Sequence, residues 1–328
     1  MERAYRGAGS VGGKPADARP EDRPPAAPRV ILGCGNFGGI GSAPAFFGQG
    51  ETLEQALALM DAAWEAGITW FDTADAYGGG RSETYIGEWV RSRRPDGLRI
   101  TTKTFNPMDE GEDRGLAPER VRRQIDTSLR RLGVERVDLY LSHAWDDDVP
   151  AAELAGVFDE LVAAGKIGAY GLSNVDGARL REALAAGSFS AVQDSYSLLD
   201  REVEEEVLPL CAEHGLWFQV HSPLMGGWLT GKYRRDAPAP DGSRMTLRSA
   251  PYEHLRTDAV YDAIEALERR GDPATLALAW LLADERVSVV LGPRRPEHLR
   301  PGLAALEHPL SPAEREAIAD EFRLAVES

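Results

Sequence analysis

The 328-residue sequence is poor in several features that whole classes of protein require. It has two cysteines, Cys34 and Cys211, which stand far apart and provide neither a disulfide framework nor a thiolate metal site. No apolar run is long enough to span a bilayer, and the first residues lack the apolar core of a signal peptide. Basic residues are outnumbered by acidic ones, 37 to 53, which gives a net charge of -16. We therefore expect a cytoplasmic protein whose main partner is neither nucleic acid nor a membrane.

Lysine and histidine are rare as well. Only four of the 37 basic residues are lysines, and one of them, Lys103, lies in a run that predicts a buried strand. The six histidines are scattered without the spacing of metal ligands, so we expect no metal site. The hydrophobic share of 43% is enough to bury a large core.

Strand-like and helix-like segments alternate along most of the chain. Residues 1–28 are rich in Gly, Pro, Ala and charge, which predicts a disordered tail, and residues 29–328 are expected to form a single domain. Eight strands are predicted, at 30–33, 69–72, 99–103, 137–142, 169–173, 191–194, 218–221 and 287–291. Parallel strands joined by helices form either an open doubly wound sheet or a closed barrel, and eight of them favour a (β/α)8 TIM barrel.

Four polar side chains stand at the C-terminal ends of three neighbouring predicted strands. Asp72 ends the second strand, Tyr77 follows it, Lys103 ends the third, and His143 follows the fourth. In a closed barrel these strand ends surround one point. Taken singly, each residue is more often a packing residue, a cap, a solvated strand end or a buried structural histidine. Their occurrence together predicts an active site.

With these residues in place, the sequence resembles the aldo-keto reductase family. The resemblance runs from Arg29 to the C-terminus and implies a barrel that reduces an aldehyde, a ketone or a sugar carbonyl with a nicotinamide cofactor. It is carried, in the family's order, by Phe71-Asp72-Thr73-Ala74, Tyr77-Gly78, Lys103, His143, Gly171-Leu172-Ser173-Asn174, Ser222-Pro223-Leu224 and Leu229-Thr230-Gly231-Lys232-Tyr233.

The four polar residues suit that chemistry. Hydride addition to a carbonyl leaves negative charge on oxygen, so a nearby proton donor stabilises the transition state. Tyr77 is expected to be this general acid and base, with the Lys103 ammonium stabilising its phenolate. Asp72 would hold the buried lysine in place, and His143 would hydrogen-bond the same substrate oxygen.

The resemblance also implies where the nicotinamide end of the cofactor binds. Ser173 and Asn174 end the fifth strand and Gln193 lies in the sixth, which provides donors and acceptors for a carboxamide. His221 stands where the family often has an aromatic residue that stacks on the nicotinamide ring. The loop after the seventh strand is expected to lie along the pyrophosphate, with Ser222, Pro223, Leu224 and Gly226.

The segment from Gly292 to Leu299 resembles the family's adenosine-phosphate segment. Arg294 and Arg295 would grip a 2′-phosphate with forked N–H donors, which favours NADP (NADPH), with NAD as a second possibility. Gly292 and His298 belong to the same expected site, although family members often carry Gln or Arg where His298 stands.

The substrate is expected to be a small carbonyl compound bound by the loops at 39–50, 144–148 and 232–256. Phe46, Phe47, Trp145 and Trp228 are candidates for an apolar wall. Two other functions stay open: a nicotinamide-binding regulatory subunit with little turnover, and a metal- or Schiff-base-dependent lyase that uses Lys103. Glycine motifs at 33–38 and 226–232 have Rossmann and Walker A spacing, but no helix follows either, so neither function is predicted.

Overall fold

The computed structural model describes residues 27–109 and 113–326, in which eight parallel strands close into a barrel. Each strand pairs with the next in the chain, and the last pairs with the first. The strands are β1 Val30–Gly33, β2 Trp70–Asp72, β3 Arg99–Thr104, β4 Val137–Ser142, β5 Ile167–Ser173, β6 Ala191–Ser195, β7 Trp217–His221 and β8 Val287–Leu291. The predicted (β/α)8 barrel is confirmed. Of the predicted tail, residues 1–26 lie outside the described residues.

Helices connect the strands and cover the outside of the barrel. They are α1 Leu53–Glu65, α2 Arg81–Arg93, α3 Pro118–Leu132, α4 Ala151–Ala163, α5 Gly177–Ala186, α6 Val207–His214, α7 Arg244–Leu247, α8 Asp258–Arg270, α9 Pro273–Leu282, α10 Arg300–Glu307, α11 Pro312–Glu321 and α12 Arg323–Val326. Within the described ranges, no helix has both the length and the apolar character needed to cross a membrane.

Alternation along the strands separates two apolar regions. Residues such as Leu32, Phe71 and Tyr140 belong to the larger cluster, which also contains the buried faces of the helices. Their strand neighbours face the barrel interior, because successive side chains of a strand point to opposite sides of the sheet. These inward-facing residues form a second, smaller cluster, which consists of Ile31, Trp70, Leu139, Leu141, Ala191 and Val290.

Two tryptophans close the interior near the N-terminal ends of the strands. Trp70 and Trp217, the first residues of β2 and β7, meet edge to face with ring centroids 4.9 Å apart. Their indole N–H groups donate to the hydroxyl oxygens of Thr101 (2.8 Å) and Ser288 (2.7 Å). Two positions further along the same strands the inward residues are polar, so the barrel changes from apolar to polar toward its C-terminal mouth.

Candidate active site

Lys103 and Asp72 form a buried ion pair inside the mouth of the barrel. Nζ of Lys103 donates to Oδ1 of Asp72 at 2.6 Å and to the backbone oxygen of Thr73 at 2.9 Å. Burial alone would lower the pKa of Lys103, but the Asp72 carboxylate and the Tyr77 phenol raise it above its ordinary value. Lys103 is therefore cationic at neutral pH.

Tyr77 lies over this pair at the start of the 3-10 segment Tyr77–Gly80. Nζ of Lys103 is 5.1 Å from the centre of the phenol ring. Burial raises the pKa of Tyr77, and the Lys103 ammonium only partly offsets that effect, so the phenol keeps its proton at neutral pH. The turn depends on Gly78, whose φ is 59° and where a Cβ would lie 2.6 Å from the backbone oxygen of Phe37.

His143 completes the group of four. Its Nε2 is 3.4 Å from the Tyr77 hydroxyl, and the two rings meet edge to face at 5.3 Å. Burial, together with the positive charge of Lys103, lowers the pKa of His143 well below its ordinary value. The structure thus brings Tyr77, Lys103, Asp72 and His143 together, with a neutral imidazole beside a neutral phenol.

Gln193 extends the ion pair across the barrel. Its Nε2 donates to Oδ2 of Asp72 at 2.8 Å and to Oε1 of Gln219 at 2.7 Å. Both N–H groups of the Gln193 amide are therefore bonded inside the barrel, and its carbonyl oxygen is the remaining acceptor. Gln219 was not predicted from the sequence. It could have been found from its position two residues before His221, on the same inward face of β7.

Asn174 and His221 form a second polar layer closer to solvent. Nδ2 of Asn174 donates to the backbone oxygen of His143 (2.8 Å) and to Oγ of Ser173 (3.0 Å). Nε2 of His221 lies 3.0 Å from Oδ1 of Asn174, and because an amide oxygen only accepts, His221 carries its proton on Nε2. Its Nδ1 lies 3.2 Å from Oγ of Ser222. Burial, and then the charge of Lys103, lowers the pKa of His221 to about 4, so this ring is also neutral.

The loop after β7 folds tightly around its glycines. Gly226 has a φ of 62°, and a Cβ there would lie 2.6 Å from the Tyr252 ring. The N–H of Gly227 donates to the backbone oxygen of Leu224 at 2.8 Å, so this group is used inside the turn. Trp228 is 1% exposed and packs on aromatic neighbours, which makes the expectation that it lines the substrate pocket wrong.

Basic side chains gather beside the ends of β7 and β8. Nε of Arg294 donates to Oε1 of Glu51 at 2.8 Å, and Arg244 donates to Oδ1 of Asn36 at 2.5 Å. Burial lowers the pKa of Lys232, and the nearby charges of Arg244 and Arg294 lower it further. Crowded, partly desolvated cations of this kind suit an anionic ligand.

The residues predicted for the adenosine phosphate lie at the edge of this basic group. The backbone N–H of Arg294 donates to Nδ1 of His298 at 3.3 Å, and Nη2 of Arg295 lies 3.4 Å from Nε2 of His298. Gly292 is open, since a Cβ there would meet its nearest neighbours only at 3.9 Å. The sequence prediction misses Arg244, because nothing in the polar loop that carries it indicates which way it folds. Lys232 could have been predicted, because it lies in one of the segments that resemble the aldo-keto reductase family.

No metal centre is evident in the described part of the chain. Within residues 27–109 and 113–326, no three His, Cys, Asp or Glu side chains are grouped so that they could hold a metal ion.

Comparison with known proteins agrees with this geometry. The sequence model of the aldo/keto reductase family matches residues 29–321. The NADH-specific methylglyoxal reductase of Escherichia coli is 34% identical over 307 residues, which cover 86% of this chain and 91% of that protein. Two solved structures superpose over most of their length: a glycerol dehydrogenase from Gluconobacter oxydans (TM-score 0.78, 26% identity, 92% of this chain and 93% of that one) and an aldo-keto reductase from Bacillus halodurans in its holo form (0.72, 27%, 89% and 91%). The chain belongs to the aldo/keto reductase family.

Proposed function

We propose that this protein is an NADP(H)-dependent oxidoreductase that reduces the carbonyl group of a small aldehyde, ketone or sugar to an alcohol. The observation that supports this most is the protonated phenol of Tyr77 above the buried Lys103–Asp72 pair, with neutral His143 beside it. A reduced nicotinamide cofactor, when bound, supplies a hydride to the carbonyl carbon.

The residues present fit such a cofactor. Hydroxyl and amide groups of Ser173, Asn174 and Gln193 stand at the mouth of the barrel beside the four polar residues. The basic group around Lys232 suits the phosphates. Burial, and then the charges of Arg244 and Arg294, lower the pKa of Lys232, so a bound anion would stabilise its ammonium form. Arg294 and Arg295 favour NADPH, while the name of the Escherichia coli relative supports NADH as a second cofactor.

Each of the four polar residues then has a distinct task. Tyr77 donates its proton to the oxygen on which negative charge develops. Lys103 stabilises the phenolate that Tyr77 becomes, and Asp72 keeps the ammonium in position. His143 is neutral and 3.4 Å from the Tyr77 hydroxyl, so it orients the same oxygen with a hydrogen bond and without a competing charge.

A lysine imine has less support. Schiff-base formation needs an unprotonated amine, and enzymes that use one lower the pKa of the lysine. Here the pKa of Lys103 is raised and its ammonium already donates to Asp72 and Thr73. A nicotinamide-binding regulatory subunit would differ from the proposed enzyme only in having little turnover.

The substrate is proposed to be a short, oxygen-rich carbonyl compound. The printed names of two relatives, a methylglyoxal reductase and a glycerol dehydrogenase, support that class. Phe46, Phe47 and Trp145 are partly buried rather than fully buried, so they stay available as the wall of the pocket.

The test follows the nicotinamide absorbance of NADPH and NADH with a panel of aldehydes, ketones and sugars, beside Tyr77→Phe. We expect turnover by the wild type and a loss of at least about 100-fold in the variant, because its proton donor is gone. Cofactor affinity, measured by fluorescence, should stay within about threefold, since the hydroxyl is a small part of the binding site. A variant that turns over at the wild-type rate would refute the role of Tyr77, and a wild type that binds cofactor without turnover would favour the regulatory subunit.

A further inference from the structure

A carboxylate lies buried where the sequence predicts an anion-binding site. Glu51 stands just before α1, and its backbone is fixed by bonds from its N–H to the oxygen of Asn36 (2.8 Å) and from the N–H of Gly38 to its own oxygen (2.9 Å). Its side chain is 3% exposed. Oε1 accepts from Arg294, whereas Oε2 is buried and has no hydrogen-bond partner in the part of the chain that the structure describes.

Arg294 is therefore already engaged before any ligand binds. Its Nε donates to Glu51, and its Nη1 donates to the backbone oxygen of Gly242 at 2.5 Å. The Arg294 side chain is 42% exposed, so it is still partly accessible to solvent. Because an adjacent carboxylate offsets its charge, Arg294 attracts a dianionic phosphate less than a free arginine would.

Glu51 also affects which ligand group suits this corner. A phosphate placed beside Arg294 would meet the like charge of the Glu51 carboxylate. A ribose hydroxyl carries no charge and meets no such repulsion. Glu51 therefore lowers the preference for a phosphorylated ribose that Arg294 and Arg295 would give alone.

We propose that Glu51 determines the balance between NADH and NADPH by offsetting the charge of Arg294 and by repelling a phosphate on the ribose. This inference rests on the proposed nicotinamide function. It explains how a chain with an arginine pair in its phosphate segment can be similar to a protein named as NADH-specific.

The test is the dissociation constant of each reduced cofactor, measured by fluorescence titration without any carbonyl substrate. For Glu51→Gln we expect NADPH to bind about tenfold more tightly, because Arg294 regains its full charge, and NADH to bind no more tightly than before. The matched control is Glu160→Gln, which removes an exposed carboxylate 2.6 Å from Arg122, an ion pair between α3 and α4, and should leave the ratio of the two constants unchanged. An unchanged ratio in Glu51→Gln, or an equal change for both cofactors, would overturn the inference.

A second variant keeps the test decisive if Glu51→Gln does not fold. Arg294→Ala removes the cation and leaves the Glu51 carboxylate, so NADPH should weaken at least about tenfold more than NADH. Equal losses for the two cofactors would also overturn the inference. A wild type that binds neither cofactor would instead refute the proposed function itself, which separates the two failures.

Discussion

At the scale of single residues, the most consequential feature is that Asp72 serves two partners. One carboxylate oxygen takes the Lys103 ammonium and the other takes the Gln193 amide, all in the barrel interior. A buried carboxylate depends on the partners that bond its oxygens, because removing one leaves the buried group uncompensated. Stability and chemistry therefore depend on the same atoms.

Replacing Lys103 separates the two contributions. Lys103→Met leaves Asp72 as an uncompensated buried charge, so the free energy of unfolding should fall by about 3–5 kcal/mol in urea denaturation. The double variant Lys103→Met with Asp72→Asn removes both charges and should recover most of that loss. Turnover should stay absent in both, since neither can stabilise a Tyr77 phenolate. Recovery of turnover in the double variant would contradict the role given to Lys103.

Residues on short segments next to strands could be located from sequence, whereas those on long loops could not. Tyr77 and His143 lie within five residues of a strand end, so strand order alone predicts that they meet. Arg244 lies in the long connection between β7 and β8, and its position depends on how that loop packs. The role of Glu51 was hidden for the same reason, because its partner Arg294 is 243 positions away in the chain.

At the scale of elements, a buried polar network holds the segment that carries Tyr77. Oδ2 of Asp75 accepts from the Thr104 hydroxyl at 2.7 Å and lies 3.9 Å from Nη2 of Arg120. The backbone N–H of Asp75 donates to the oxygen of Lys103 at 3.0 Å. Burial, and then the charge of Glu83, raises the pKa of Asp75 to about 7. The network thus joins the end of β2 to β3, α2 and α3 through a carboxyl that holds a proton below neutral pH.

This carboxyl should make stability depend on pH. Because the folded pKa of Asp75 lies above the ordinary 3.8, the folded state binds the proton more tightly, and stability is lost as pH rises from about 4 to about 7. At about 1.4 kcal/mol per pKa unit the full loss is on the order of 4 kcal/mol. As the pH rises through that range, the free energy of unfolding of the wild type should therefore fall relative to that of Asp75→Asn. Above that range the difference between the two proteins should become constant. A difference independent of pH would show that Asp75 titrates normally.

Helix packing can be tested with two glycines. A Cβ on Gly87 of α2 would lie 2.0 Å from the backbone oxygen of Arg131 in α3, whereas one on Gly156 of α4 would have nothing within 4 Å. Gly87→Ala should cost about 1–3 kcal/mol of unfolding free energy through overpacking. Gly156→Ala should add about 0.5–1 kcal/mol through helix propensity. Equal effects of the two substitutions in thermal or urea denaturation would contradict the close approach of α2 and α3.

Sequence patterns predict the bounds of some strands and helices and miss those of others. The predicted bounds of β1, β4 and β8 match the structure, because each is a short apolar run that ends at glycine or polar residues. Between β6 and β7 the chain does not form one continuous helix: Glu202–Glu204 is a 3-10 turn, and α6 begins only at Val207. Helices α10 to α12 follow the last strand, where the alternation of strand and helix no longer indicates them.

At the scale of the whole molecule, the barrel has one closed end and one polar end. Trp70 and Trp217 fill the interior near the N-terminal ends of the strands, while Asp72, Gln193 and Gln219 occupy the layer above them. The family and the fold are established by the match over residues 29–321 and by the closed sheet. The composition indicated a large core but did not distinguish an open sheet from a barrel. The eight successive predicted strands favoured the barrel.

The most direct test of the account is the rate of hydride transfer in a single turnover. Wild-type protein and Tyr77→Phe, each saturated with NADPH, are mixed with the best carbonyl substrate of the panel, and the nicotinamide absorbance is followed in a stopped-flow instrument. We predict a fast decay in the wild type and a decay at least about 100-fold slower in the variant, at equal cofactor occupancy. Equal rates in the two proteins would contradict the central claim that Tyr77 supplies the proton.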